Sequence, residues 1–160
     1  MNQPGAEWYN VKPKIGAIYS LIDTATFGMS KRERLRAVIA LGESDDPRAV
    51  RPLMELLRDG DPEIRFYATS ALGTLRSGRA VDDLIGRLRD KSEQSATWQQ
   101  AAAALAAIRS NTAILGLKER IADENEDPTI RSYSRAVMSR MGSWGGPSAP
   151  LQMRWFRTPA

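Results

Sequence analysis

Residues 61–90 read DPEIRFYATSALGTLRSGRAVDDLIGRLRD and contain the pattern of two short amphipathic helices joined by a turn. In the first half, apolar residues recur at the three- and four-residue spacing that places them on one helical face. Asp61 supplies an N-cap, and Pro62 follows at the first helical position, where a missing N–H costs nothing. A second apolar stripe begins after Ser77 and Gly78. Neither helix can bury its stripe alone, so the pattern predicts a unit that needs neighbours.

Copies of this unit lie on both sides of it in the chain. The segment ALGTL at 71–75 aligns with ALG at 40–42 upstream, and with 104–108 and 137–141 downstream, at steps of 31 or 33 residues. The second-helix stripes and the Asp-Pro start recur in the same phase. Two separate helix patterns that keep one period predict a stack of helical hairpins.

The repeated pattern D-P-x-[IV]-R-x-x-A-x-x-A-L-G-x-L, followed by A-V-x-x-L-x-x-L-x-D, resembles HEAT-like repeats of the short type also found in phycobilin lyases. The resemblance covers roughly residues 14–142 and is most faithful at 61–90. It implies an all-α fold, an α-α superhelix in the form of a short right-handed α-solenoid of HEAT-like helical hairpins. Such repeats serve several functions, so the resemblance is specific for fold and weak for function.

The composition changes abruptly at both ends of the repeats. We expect an irregular N-terminal segment at 1–13, a repeat domain at 14–142 and a Gly/Pro/Trp-rich C-terminal tail at 143–160. Terminal units of such stacks are usually atypical, and the first is expected to be a half-repeat that caps the stack. The expected units are a half-repeat at 14–29, repeats at 30–60, 61–94 and 95–126, and a final helix at 127–142.

Composition narrows the class of protein. With 42% apolar and 26% charged residues, the 160-residue chain suits one helical globular domain. The net charge of +4 invites a nucleic-acid partner, but basic and acidic residues are interleaved rather than clustered on a stripe, so we expect none. No apolar run is long enough to span a membrane. The absence of cysteine fits the cytoplasm.

The chain lacks the side chains of several common chemistries. It contains no histidine and no cysteine, which removes His-dependent nucleophilic triads and the usual zinc and haem ligands. Neither a phosphate loop nor a dinucleotide fingerprint occurs. The acidic groups at 45–46, 82–83 and 123–127 stand where helices begin or turn, and the helix dipole accounts for them. We therefore predict no enzymatic activity, no catalytic residue and no cofactor or metal site.

Two surfaces are candidates for binding a partner. The resemblance implies that the second helices line the concave face, where their exposed side chains either form a solvated surface with local ion pairs or recognise carboxylates and phosphates. The aromatic tail either folds back over the terminal helices or docks on a partner, because tryptophan and arginine dominate binding hot spots. The candidates are Arg51, Glu55, Arg58, Asp82, Arg87, Arg89, Glu119 and Arg120 on the second helices, and Trp144, Arg154, Trp155 and Phe156 in the tail.

The leading functional hypothesis is a non-enzymatic protein-binding or scaffold module that acts in the assembly or regulation of a complex. The first alternative is a tetrapyrrole (bilin) lyase-like subunit or chaperone, in which Arg51, Arg87 or Arg120 would meet the propionates of the pigment. The second alternative is a HEAT-like nucleic-acid binder, which would require clustered cations and a strong salt dependence. The partner protein itself is not identifiable from these residues.

Overall fold

A computed structural model describes residues 15–143 and contains eight α-helices in that range. Short 3-10 turns, Pro47–Ala49 and Gly78–Ala80, lead into the third and fifth helices. The predicted all-α solenoid of paired helices is confirmed, whereas the predicted division into terminal segment, repeats and tail stays a prediction. The helices are α1 Ile15–Phe27, α2 Lys31–Glu43, α3 Val50–Leu56, α4 Pro62–Leu75, α5 Val81–Arg89, α6 Ser95–Ile108, α7 Asn111–Ala122 and α8 Pro128–Ser143.

Local side-chain hydrogen bonds define where several helices begin. Ser30 Oγ accepts the N–H of Glu33 at 3.2 Å, and Glu33 Oε2 accepts the N–H of Ser30 at 3.3 Å, which forms a capping box before α2. Asp61 Oδ1 accepts the N–H of Glu63 at 2.9 Å before α4. These caps satisfy backbone donors that have no partner within the helix, so each start is encoded within a few residues.

The core is continuous from one repeat to the next. Each hairpin contributes a leucine from its first helix and another from its second helix, and all six of these leucines are fully buried. Neighbouring repeats therefore cover each other's apolar stripes, as the sequence pattern requires. The first-helix leucines are Leu41, Leu72 and Leu105, and the second-helix leucines are Leu53, Leu84 and Leu117.

The two helical layers differ in spacing. In the layer of first helices, a Cβ added to Gly42 would lie 2.7 Å from the Cβ of Ala71, and one added to Gly73 would lie 2.9 Å from the Cα of Ala104. In the layer of second helices, a Cβ added to Gly116 would lie 2.4 Å from Ile85 Cδ1, which is the tip of a side chain rather than backbone. Backbones are therefore closer in the first layer.

The first helices α2, α4, α6 and α8 pack side by side along the stack. Small residues at these contacts let the backbones meet. The expectation that the second helices line the concave face stays a prediction.

Candidate functional site

One long edge of the stack is held by arginines that reach across repeat boundaries; we call it the inter-repeat edge. Arg65 on α4 donates from Nε and Nη2 to the two oxygens of Glu93, at 2.8 and 2.9 Å. Its Nη1 donates to the carbonyl of Asp59 at 2.8 Å. Arg87 adds a 3.2 Å bond to Glu93 Oε2. The Glu93 side chain is 1% exposed, so two guanidinium groups neutralise a buried carboxylate.

The same contact recurs at other repeat boundaries. Arg34 donates from Nε to the carbonyl of Ala25 at 2.9 Å and forms an ion pair with Asp59. Arg131 donates to the carbonyl of Asp123 at 3.4 Å. In the third repeat, Trp98 stands at this position and packs edge-to-face on Tyr133. Each of these arginines binds carbonyls in the last turn of the preceding helix or just after it, where carbonyls lack partners within the helix.

The ion pairs shift the pKa values of their carboxyl groups. Burial raises the pKa of Glu93, but hydrogen bonds from Arg65 and from the N–H of Gln94 outweigh it and hold the pKa below its usual range. At Asp59, burial likewise raises the pKa, and the Arg34 guanidinium together with the N–H of Asp61 lowers it by more. Both carboxylates are therefore ionised in the folded protein and stabilise it in that form.

Arg120 on α7 belongs to this structural set. It is 7% exposed and donates from Nη1 to Glu126 at 2.8 Å. The expectation that Arg120 is an exposed second-helix residue was wrong. The turn at 123–127 places the Glu126 carboxylate against α7. Helical periodicity does not predict this contact, because it joins residues on the two sides of a turn.

The other predicted second-helix residues lie on the surface. Arg51 and Glu55 pair with each other at 3.5 Å on α3, and Arg58 binds Asp83 of the next repeat at 2.6 Å. Most of this face is therefore occupied by pairs within the chain, and the role of its residues in partner binding stays a prediction. Four of the predicted residues, Arg58, Asp82, Arg87 and Arg89, line one groove of about 260 Å³, and Glu119 is exposed on α7. The tail candidates Trp144, Arg154, Trp155 and Phe156 lie outside the described residues.

The outer surface of the first helices, which we call the first-helix face, presents apolar side chains that sequence reasoning missed. A groove of about 480 Å³ between α2 and α4 is floored by Leu35, Ile39 and Tyr67. Ile39 is 39% exposed. The rim carries the basic side chains of Lys31, Arg32 and Arg36 and the carboxylate of Glu63, which pairs with Lys31 at 2.6 Å. In the sequence, Ile39 stands beside the buried apolar stripe of α2, so helical periodicity alone predicts that it is buried.

A second long edge is formed by the turns inside each hairpin; we call it the hairpin-turn edge. Arg76 and Arg109 end α4 and α6 there with left-handed backbone, at φ of 49° and 56°. Both side chains are exposed. Within residues 15–143, neither side chain forms a hydrogen bond or an ion pair. They border a groove of about 370 Å³ between α6 and α8.

The described part of the chain contains no cluster of His, Cys, Asp or Glu side chains arranged to hold a metal ion. Over the same residues, no helix combines the length and the apolar character needed to cross a membrane. The chemistry visible at these surfaces is recognition by guanidinium groups and apolar side chains.

The fold and these surfaces define an α-solenoid of stacked helical hairpins. A family model of HEAT repeats matches residues 20–99, which is half of the chain. The protein belongs to the HEAT-repeat family, a class whose members often bind other proteins. A search of curated proteins found no match.

A solved structure of human deoxyhypusine hydroxylase in complex with glycerol is similar to this chain, with a TM-score of 0.68. The two chains are 24% identical, and the match covers 79% of this chain and 43% of that one. The chain thus spans less than half the length of the hydroxylase. At this identity the likeness shows a shared fold.

This likeness corrects the functional prediction. A protein built on the same helical stack is an enzyme, so the predictions of a non-enzymatic scaffold and of no enzymatic activity were wrong. The prediction rested on missing side chains and motifs, and neither these absences nor the repeat fold determines whether a chain is an enzyme. The absence of histidine and cysteine removes only the chemistries that use those side chains.

Proposed function

We propose that this chain is a HEAT-repeat module that binds a segment of a partner protein on its first-helix face. The observation that carries the proposal is the groove between α2 and α4, which leaves Leu35, Ile39 and Tyr67 accessible beside basic side chains. Grooves of this kind accept the apolar side chains of a peptide, while the rim sets its orientation.

The distribution of charge supports this face over the second-helix face. Arg51, Arg58 and Arg87 on the second helices all have carboxylate partners within the chain. A ligand that recruited those arginines would have to displace existing ion pairs. On the first-helix face, Lys31 is paired with Asp61 and Glu63, but Arg32 and Arg36 have no ion pair among residues 15–143. On the first-helix face, α4 presents Phe66 and Tyr67, whose rings stack edge-to-face with centroids 5.3 Å apart. Aromatic side chains with accessible surface are enriched in protein interfaces.

The close packing of the first helices supports the same face. Because α2 and α4 lie side by side, both helices can contact one bound segment.

The absence of cysteine supports a reducing compartment, and we propose the cytoplasm as the location of the protein.

A matched pair of variants tests the proposal. Displayed 12-residue random peptides are selected on the full chain, and enriched peptides are then measured by fluorescence anisotropy against Ile39→Glu and Leu115→Glu. Ile39 and Leu115 are both exposed aliphatic residues, on α2 and α7 respectively, and receive the same charge. We expect Ile39→Glu to weaken binding about 10-fold or more, since it buries a carboxylate against the peptide. We expect Leu115→Glu to bind like the wild type.

Circular dichroism and thermal melting verify that both variants fold. Equal losses in the two variants, a loss only in Leu115→Glu, or the absence of any enriched peptide would each refute the first-helix face as the binding surface.

A further inference from the structure

The helices α4 and α6 both end on an arginine, which is an unusual residue for their C-cap conformation. Arg76 and Arg109 occupy repeat-equivalent C-cap positions with φ of 49° and 56°, a left-handed conformation that disfavours side chains with a Cβ. Glycine is the residue that ordinarily fills this position. Asp45, one repeat earlier, has a φ of 53°, and its side-chain type tolerates this conformation better than arginine does. Backbone strain that persists at two equivalent positions points to a role for the side chains it carries.

Both arginines border the groove between α6 and α8. Its floor is apolar and consists of small or aliphatic side chains, and its lining includes no carboxylate. Arg140, near the end of α8, contributes a further guanidinium to the rim. The floor residues are Ala103, Ala106, Ala107, Val137 and Met141.

The groove exists because the first-helix spacing changes along the stack. Gly73 meets the backbone of Ala104 between α4 and α6. One repeat later, Ala106 stands where α4 has Gly73, and Val137 stands where α6 has Ala104. With these larger side chains between them, α6 and α8 are in less extensive contact than α4 and α6, and the groove between them is bordered by Arg76 and Arg109.

We propose that this groove binds an acidic segment of a partner protein, with an aliphatic side chain on the alanine floor and carboxylates on Arg76 and Arg109. This inference rests on the proposed function and names the chemistry of its ligand. The charge of the groove is complementary to such a segment, because every charged residue of the lining is an arginine and guanidinium groups bind carboxylates through two parallel hydrogen bonds.

The repeat geometry sets the spacing of those carboxylates. Arg76 and Arg109 are equivalent positions on adjacent first helices, and packed helices lie about 8–10 Å apart. Two carboxylates on one face of a bound helix and two turns apart are separated by about 10.5 Å, which matches that distance. The ligand is therefore a segment with acidic residues seven positions apart in a helix and an aliphatic residue between them.

Other occupants fit less well. Single-stranded nucleic acid needs aromatic platforms for its bases, and the lining of this groove has no aromatic side chain. The chain's own residues 144–160 include Arg154 and Arg157 and no acidic residue, so their charge repels the rim.

The test uses the full chain and two double variants of equal net charge. Displayed 12-residue random peptides are selected on the wild type, on Arg76→Gln/Arg109→Gln and on Arg51→Gln/Arg89→Gln. We expect acidic peptides with an aliphatic residue to be enriched on the wild type and on the Arg51/Arg89 control. The synthesised peptide should bind the Arg76/Arg109 variant about 10-fold more weakly, and its wild-type affinity should fall with added salt. A single-stranded DNA oligonucleotide serves as the competing probe.

Each other result overturns the inference. Enriched peptides without acidic residues, or acidic peptides that bind the Arg76/Arg109 variant undiminished, show that the groove does not select carboxylates. Oligonucleotide binding that depends on the same two arginines shows that phosphate is the ligand. Peptides that are lost in Ile39→Glu but retained in Arg76→Gln/Arg109→Gln leave the proposed function standing and refute this inference alone.

Discussion

The inter-repeat edge and the hairpin-turn edge carry the same residue type at the same period and use it differently. On the first, Arg65 lies between Glu93 and the end of the preceding second helix, with its hydrogen bonds satisfied inside the protein. On the second, Arg76 and Arg109 extend from strained helix ends with no ion pair among residues 15–143. The difference shows that an arginine holds adjacent repeats together where carbonyl groups of the preceding repeat accept its hydrogen bonds, and that a buried carboxylate such as Glu93 reinforces this contact.

Removal of the carboxylate of the inter-repeat edge should have the largest effect on stability. Glu93→Ala leaves Arg65 and Arg87 without their shared partner, and we expect a loss of about 3 kcal/mol in the free energy of unfolding. Urea unfolding followed by circular dichroism measures it. Glu119→Ala, at an exposed position on α7, is the control and should change stability by less than about 0.5 kcal/mol. Similar small losses in both would show that the inter-repeat edge does not hold the repeats together.

The next change tests the helix spacing on which both edges depend. Gly73→Ala places a Cβ 2.9 Å from the Cα of Ala104, so α4 and α6 must separate, and we expect a loss of about 1–3 kcal/mol. Gly86→Ala in α5 meets no atom within 4 Å and should gain about 0.5–1 kcal/mol from helix propensity. Thermal melting of the two variants gives the comparison. A gain in both would mean that the first helices are not in close contact.

Acid titration tests how much the ion pairs of the inter-repeat edge contribute to stability. The folded pKa values of Asp59 and Glu93 lie below their unfolded values, so the unfolded chain binds more protons and stability falls as the pH drops. The contribution of these groups is fully present above the unfolded pKa values and is lost between roughly pH 5 and pH 2. The melting temperature of Glu93→Gln should therefore depend less steeply on pH in that window than that of the wild type. Asp82→Asn, an exposed control, should keep the wild-type slope; equal slopes in all three proteins would count against the Glu93 contact.

The smallest predicted effect has the opposite sign and concerns the hairpin-turn edge. Arg109→Gly relieves a left-handed residue that has a Cβ, and we expect a gain of about 1 kcal/mol, or about 2–4 °C in melting temperature. Arg109→Ala removes the same charge but keeps the Cβ, so it should give no gain. If Ala and Gly raise the melting temperature equally, charge repulsion rather than backbone strain limits this edge.

Much of the fold was predictable from local signals. The capping box of Ser30 and Glu33 and the Asp61-Pro62 start are written within four residues, and the structure begins α2 and α4 there. The buried leucines follow a helical period that repeats along the chain, so the stack and its core were predictable as well. The burial of Trp98 has a different origin: its ring packs edge-to-face on Tyr133 of the next first helix, which removes it from solvent.

The candidate site was much less predictable. The recurrence of Ile-Arg at 64–65 and 130–131 was visible as a pattern, but Glu93 as the partner of Arg65 was not, because nothing local joins residues 28 positions apart. Arg120 was expected on the surface and is buried against Glu126. The left-handed backbone of Arg76 and Arg109 was not predictable, since helical periodicity does not indicate the φ of the residue that ends a helix.

The all-helical repeat, its period and its apolar core are all encoded locally, because they depend on spacing along one helix and on caps a few residues long. The pairing of arginines with carboxylates, the closer spacing of the first helices and the positions of the grooves are visible in the folded chain alone. Those features depend on how adjacent repeats approach each other, and a glycine, alanine or valine at one contact changes that approach without altering the helical pattern.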